Sequence, residues 1–80
     1  MANKQILSPL PGTFYRRPAP DKPPYKEPGD PVAKGEVLGL VEVMKSFYEV
    51  KSDVDGTVAQ FLIENEAAVQ AGQPLVEIES

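Results

Sequence analysis

The sequence predicts an all-β domain made of two matching halves, either a pair of packed sheets or a flattened barrel with approximate two-fold symmetry. Three observations predict it: an internal repeat, short Val-, Leu- and Ile-rich segments bounded by turn residues, and a proline-rich insertion in one half only. The repeat is read from spacing. Val32, Gly35, Leu38, Val41 and Glu42 recur as Val69, Gly72, Leu75, Ile78 and Glu79, each 37 positions later. Ser8, Gly12 and Thr13 recur as Ser52, Gly56 and Thr57 at an offset of 44, so the first half holds seven more residues between its GT and its VxxG.

Those seven residues fall within FYRRPAPDKPPYKEPGDP, residues 14–31, which hold six of the nine prolines. Proline fixes φ and lacks an amide donor, so the segment runs extended, stays out of a sheet interior and loses little entropy when ordered. An insertion in only one of two equal halves leans towards function, since nothing else would break the symmetry. Next comes PGDPVAKG (28–35), whose glycine and two prolines near its start forbid a regular helix; it and its repeat mate NEAAVQAG (65–72) are expected to be turns. Gly35 and Gly72 close them, where glycine takes a positive φ without steric cost. EVLGLVEV (36–43), SFYEVK (46–51), GTVAQFLI (56–63) and PLVEIES (74–80) read as strands. The expected interior is Ile6, Phe14, Leu38, Leu40, Val50, Val58, Leu62, Leu75 and Ile78.

The first repeat ends at Glu42 and the second begins near Ser52, so Val43, Met44, Lys45 and Ser46 form the joint between halves, a hairpin tip from which Lys45 projects. Its symmetry mate falls just past Ser80. A solvated lysine is almost wholly protonated at neutral pH, and the chain has no histidine to relieve it. Lys45 is therefore no catalytic amine; it suits an acceptor whose partner enzyme supplies an activated acyl group and the base. Acylation would remove the charge and leave a long flexible tether.

Composition bounds the remaining choices. Eighty residues make one domain, and the absence of cysteine and histidine excludes disulfides, thiolate chemistry and the common zinc and haem sites. Twelve acidic against eight basic residues give a net charge of −4, which argues against a nucleic-acid surface. There is no signal-like apolar run and no stretch near 20 apolar residues, so a cytoplasmic protein without a membrane segment is expected. No phosphate-cradling glycine pattern occurs, no metal site is expected, and Glu27, Asp30, Asp53 and Asp55 read as solvated turn acids.

With VEVMKSFYEVKSDVDGTV around the hairpin lysine and SPLPGTFYRRPAPDKPPYKEPGD upstream, the chain resembles the biotinyl domain of biotin carboxyl carrier proteins of the acetyl-CoA carboxylase type, from Ile6 to Glu79. In that type the insertion is called the thumb. The resemblance implies the biotinyl/lipoyl "hammerhead" fold, a flattened barrel of two four-stranded antiparallel sheets with pseudo-two-fold symmetry. It implies a single domain over 1–80, a thumb within 16–28 and a biotinylation hairpin at 42–47, with biotin joined by an amide to Lys45. The family's usual Glu-Ala-Met-Lys-Met is matched at Glu42, Met44 and Lys45; Val43 and Ser46 depart, one bulkier and one less apolar. The resemblance implies that these five carry recognition by a biotin protein ligase. Thumb residues Arg17, Pro18, Pro20, Asp21 and Lys22 are implied as cofactor contacts, Arg17 standing where a small residue is common. Tyr25 with Pro23 and Pro24 is expected either to pack over the biotin ring or to dock on the barrel.

The implied role is a non-catalytic swinging arm in fatty acid biosynthesis. A biotin carboxylase using ATP, bicarbonate and magnesium would load a carboxyl group on the ureido nitrogen, and a carboxyltransferase would pass it to acetyl-CoA or another acyl-CoA. Alternatives are a carrier for another biotin-dependent enzyme, which generally lacks the thumb, a lipoyl carrier, whose lysine usually follows aspartate, and an unmodified partner-binding module.

Overall fold

A computed structural model describes residues 3–80 of the chain. Among them run eight strands: β1 (Asn3–Leu7), β2 (Gly12–Tyr15), β3 (Pro31–Val32), β4 (Val37–Val43), β5 (Ser46–Lys51), β6 (Gly56–Phe61), β7 (Ala67–Val69) and β8 (Pro74–Glu79). They form two antiparallel four-stranded sheets, ordered β1-β8-β6-β3 and β5-β4-β2-β7. Exchanging β1 with β5, β2 with β6, β3 with β7 and β4 with β8 turns one sheet into the other, so the sequence repeat is a two-fold relation in space. The body is flattened, 37 × 27 × 20 Å.

The relation reaches single hydrogen bonds. The Gly35 amide donates to the Ser52 carbonyl at 2.7 Å, and the Gly72 amide to the Ser8 carbonyl at 2.8 Å. Ser52 and Ser8 return bonds to the carbonyls of Glu36 and Gln73 at 2.9 and 2.8 Å. Each half thus closes its turn on the other half, with Gly35 and Gly72 at φ +90° and +82° as their spacing predicts. Buried Ser8 and Ser52 each donate a hydroxyl, both at 2.6 Å, to the carbonyl two residues on, Leu10 and Val54. The register Glu42↔Phe47 beside the hairpin repeats as Glu79↔Asn3 beside the chain ends, which makes those ends the hairpin's symmetry mate.

The interior holds Ile6, Phe14, Leu38, Val50, Val58, Leu75 and Ile78 as expected, together with Val32, Val41, Val69 and Val76. Two expectations need correction. Segments 28–35 and 65–72 are not turns throughout: buried Val32 and Val69 pull their flanks into the short strands β3 and β7. Leu62 is exposed rather than interior. A bulge between Val58 and Gln60 shifts the alternation of β6 by one residue, so Phe61 and Ile63 pack on the core in its place.

Leu40 is buried from the outside of the barrel. It pairs in register with Tyr15 and Glu49 on the outer face, apart from the main cluster. Its repeat mate is Glu77, which accepts hydrogen bonds from Asn3 and Gln60 at an exposed site. Burial, and then the Glu49 carboxylate, raise the phenol of Tyr25, at the thumb's base, above its ordinary value.

Candidate functional site

The β4–β5 hairpin closes with Val43 opposite Ser46, leaving Met44 and Lys45 as a two-residue turn at φ 50° and 70°. Left-handed values at both central residues make this the mirror-image turn whose twist matches paired strands, and asparagine and glycine normally occupy it. Here two long side chains do, at a cost of about 1 kcal/mol or more each. The six-pair ladder of β4 with β5, anchored by buried Val41 and Val50, imposes the conformation. Among the described residues nothing folds back over the tip. Met44 is 93% exposed, and Lys45 is exposed with no hydrogen bond or ion pair among the described residues.

The flanking residues divide by role. Val43 is half-buried against the core and fixes the root of the turn, whereas Ser46 is exposed. Glu42 is half-buried on the outer face and accepts a hydrogen bond from the Tyr15 hydroxyl at 3.0 Å. That bond, then burial and the Glu42 and Glu66 carboxylates, raise the Tyr15 phenol above its ordinary value. The Tyr15 and Phe47 rings lie 6.3 Å apart beside it.

The thumb folds over this face. The Tyr25 amide donates to the Arg16 carbonyl at 2.9 Å, closing the base, and the Lys22 amide to the Ala19 carbonyl at 3.1 Å, turning the tip. Arg16 fastens it: its guanidinium stacks 4.1 Å over the Phe61 ring, pairs with Glu27 at 2.7 Å and donates to the Lys26 carbonyl, while its amide donates to Asn65. Lys26 bridges to Glu36 at 2.8 Å, and that ammonium with the Ala33 amide holds the Glu36 carboxyl below its ordinary value. The turn acids are therefore bonded rather than merely solvated. Asp30 accepts from the Glu27 amide, Asp55 from the Lys34 amide, and Asp53 pairs with Lys4 at 3.5 Å.

Between thumb and hairpin lies a cavity of about 360 Å³, lined by Tyr15, Arg17, Pro18, Ala19, Pro20, Glu42, Phe47, Asn65 and Glu66. Of the residues singled out in the sequence, Arg17, Pro18, Pro20 and Glu42 meet here. Asp21 and Lys22 stand exposed at the thumb tip, outside the lining. Pro23, Pro24 and Tyr25 do not line the cavity either. Sequence reading missed Tyr15, Phe47, Asn65 and Glu66, which the fold gathers from β2, β5 and the loop before β7. Only Glu66 carried a signal, a glutamate aligned by the repeat with Gly29.

Cavity size and lining suit a small head group with apolar and polar edges. Pro18, Ala19, Pro20 and Phe47 offer apolar surface; Arg17 and Asn65 offer donors; Glu42 and Glu66 offer acceptors. Among the described residues no cluster of three metal-ligating side chains occurs, and no helix is long and apolar enough to cross a membrane.

Comparison with known proteins converges on this hairpin domain. Residues 4–78 match the family model described as "Biotin-requiring enzyme". The chain is 45% identical over 74 residues to the biotin carboxyl carrier protein of acetyl-CoA carboxylase 1, chloroplastic, of Arabidopsis thaliana, covering 92% of this chain and 26% of that protein. It is 47% identical over 73 residues to the biotin carboxyl carrier protein of acetyl-CoA carboxylase of Chlamydia pneumoniae, covering 91% and 44%. The chain thus spans less than half the length of these curated relatives. The crystal structure of Kluyveromyces lactis urea carboxylase superposes with a TM-score of 0.80 at 25% identity, covering 99% of this chain and 6% of that one.

Proposed function

We propose, since the chain belongs to the family of biotin-requiring enzymes, that it is a biotin carrier domain with biotin joined by an amide to Lys45 Nζ. The observation that carries the reading is the strained, fully presented Met44-Lys45 turn beside the thumb cavity, whose lining includes Glu42 and Phe47 from either side of Lys45. When bound, biotin supplies a ureido nitrogen that takes up and gives off a carboxyl group. The protein's own residues present, dock and release. Val43 and the β4–β5 ladder hold the tether's root, Met44 and Ser46 stand exposed for a biotin protein ligase, and Glu42 is positioned by Tyr15. Arg17, Pro18 and Pro20 of the thumb offer the cavity wall to the tethered head.

The carrier would serve a biotin carboxylase and a carboxyltransferase of an acetyl-CoA carboxylase in fatty acid synthesis, as a non-catalytic subunit in the cytoplasm. Relatives named for that enzyme, in bacteria and in chloroplasts, support it. So does the thumb. A rigid barrel with a mobile arm raises the effective concentration of the bound group at two active sites in turn. A carrier in another biotin-dependent carboxylase is the second reading, favoured by the fold match to urea carboxylase. Co-expression with a biotin protein ligase, followed by intact mass, tests the attachment: a biotin increment absent from Lys45→Arg supports it, and a lipoyl increment or none overturns it.

A further inference from the structure

Glu66 occupies a place where the fold asks for glycine. Its amide donates to the Phe14 carbonyl at 2.6 Å, and its two-fold mate Gly29 donates to the Val58 carbonyl at 2.8 Å. Both are left-handed, at φ 69° and 95°. Glycine takes that conformation at no steric cost, so the backbone gains nothing from a glutamate there. The side chain, however, faces the thumb cavity, where it joins Glu42. Asn65 Nδ2 reaches the exposed Glu66 Oε2 at 3.4 Å, and the Tyr15 hydroxyl holds Glu42 at 3.0 Å, so the lining carries two carboxylates and one guanidinium, Arg17, which has no carboxylate within ion-pair distance among the described residues.

The tethered head changes charge during its cycle. Unloaded, a cyclic urea presents N–H donors and a carbonyl acceptor; loaded, one N–H is replaced by a nitrogen bearing a carboxylate. Two acceptor carboxylates accept N–H donors and, outnumbering the single Arg17 guanidinium, repel an added anion. We propose that Glu66 is a specificity residue that, with Glu42, makes the thumb cavity dock the unloaded head and turn away the loaded one. The thumb is then a resting place that the arm leaves on loading. This rests on the reading of Lys45 as the biotin-bearing residue.

The test follows amide resonances of Arg17, Ala19, Asn65 and residue 66 by NMR in domain whose mass confirms biotin on Lys45. Biotinylation should displace these signals in the wild type. Loading in the tube with a biotin carboxylase, magnesium-ATP and bicarbonate should return them towards the unbiotinylated positions. Glu66→Gly should abolish the displacement while its Tm holds or rises, a combination that a merely structural residue would not give. Glu66→Gln, which keeps the acceptor and removes the charge, should dock the unloaded head and retain more of the displacement after loading. Undiminished displacement in Glu66→Gly, or a loaded wild-type head that stays docked, overturns the proposal alone. A missing biotin increment at Lys45 overturns the carrier reading and this proposal with it.

Discussion

The strain at the lysine turn can be measured by relieving it. Met44 sits at φ 50° with 93% of its surface exposed, so its side chain contributes only about 0.1–0.2 kcal/mol of burial while its backbone is held against preference. Asparagine visits the left-handed region routinely, and a residue freed of that cost regains about 1 kcal/mol. For a domain of this size that is a rise of roughly 4 °C or more in Tm. The assay is a thermal melt of the unbiotinylated domain as wild type, Met44→Asn and Met44→Ala. Alanine removes the same side chain but keeps the strain, so it should leave Tm unchanged while asparagine raises it. Both should slow biotinylation by a ligase that reads Met44. Equal Tm values for the two variants would show that the turn stores no strain and would refute the reasoning.

Deleting Arg17 to Pro23 should leave Tm within a few degrees, because Arg16, Lys26, Glu27 and Glu36, which anchor the thumb base, lie outside the deleted segment, yet carboxyl transfer should fall; unchanged transfer rates would sink the thumb's role. Ser8→Ala and Ser52→Ala should cost about the same, roughly 1 kcal/mol each in urea unfolding, since each buried hydroxyl makes the same 2.6 Å bond to a carbonyl two residues on. Glu36 has a folded carboxyl held below its ordinary value, chiefly by Lys26, so its stabilisation is full above the unfolded value of about pH 4.3 and is lost as pH falls through the depressed folded value. The stability gap between wild type and Glu36→Gln should therefore be present at neutral pH and close in acid; a gap that widens in acid would reverse the assignment.

Most of the fold was legible because the repeat constrains two halves at once. Gly35 and Gly72 explain each other, and so do Ser8 and Ser52, which the structure joins crosswise between halves. What escaped was phase and depth. A one-residue bulge in β6 exchanged Leu62 for Phe61, a displacement that no alternation count reveals. Leu40 is buried as expected, but on the face it shares with Tyr15 and Glu49 and apart from the main cluster. At the site, the lysine and its neighbours were readable from local order, whereas Tyr15, Phe47 and Asn65 are brought together only by the folding of β2, β5 and the loop before β7. Arg16 and Arg17 are indistinguishable in sequence, yet one is bound to Glu27, Phe61 and Lys26 and the other faces the cavity.

The departures from two-fold symmetry gather at one end of the molecule. The thumb has no mate in the second half. Leu40 is buried where its mate is the half-buried Glu77, which accepts from Asn3 and Gln60. Among the described residues, the three non-glycine positions with positive φ are Met44, Lys45 and Glu66, two forming the turn and the third lining the cavity beside it. A duplicated barrel with nothing to carry would have no reason to concentrate cost there, since Gly29 shows that the fold accommodates the cheaper residue at the equivalent place. On the proposed carrier reading, strain, insertion and exposed lysine belong to one device: the symmetric body supplies rigidity, and each local violation of its symmetry serves to present Lys45 or to receive what it would bear.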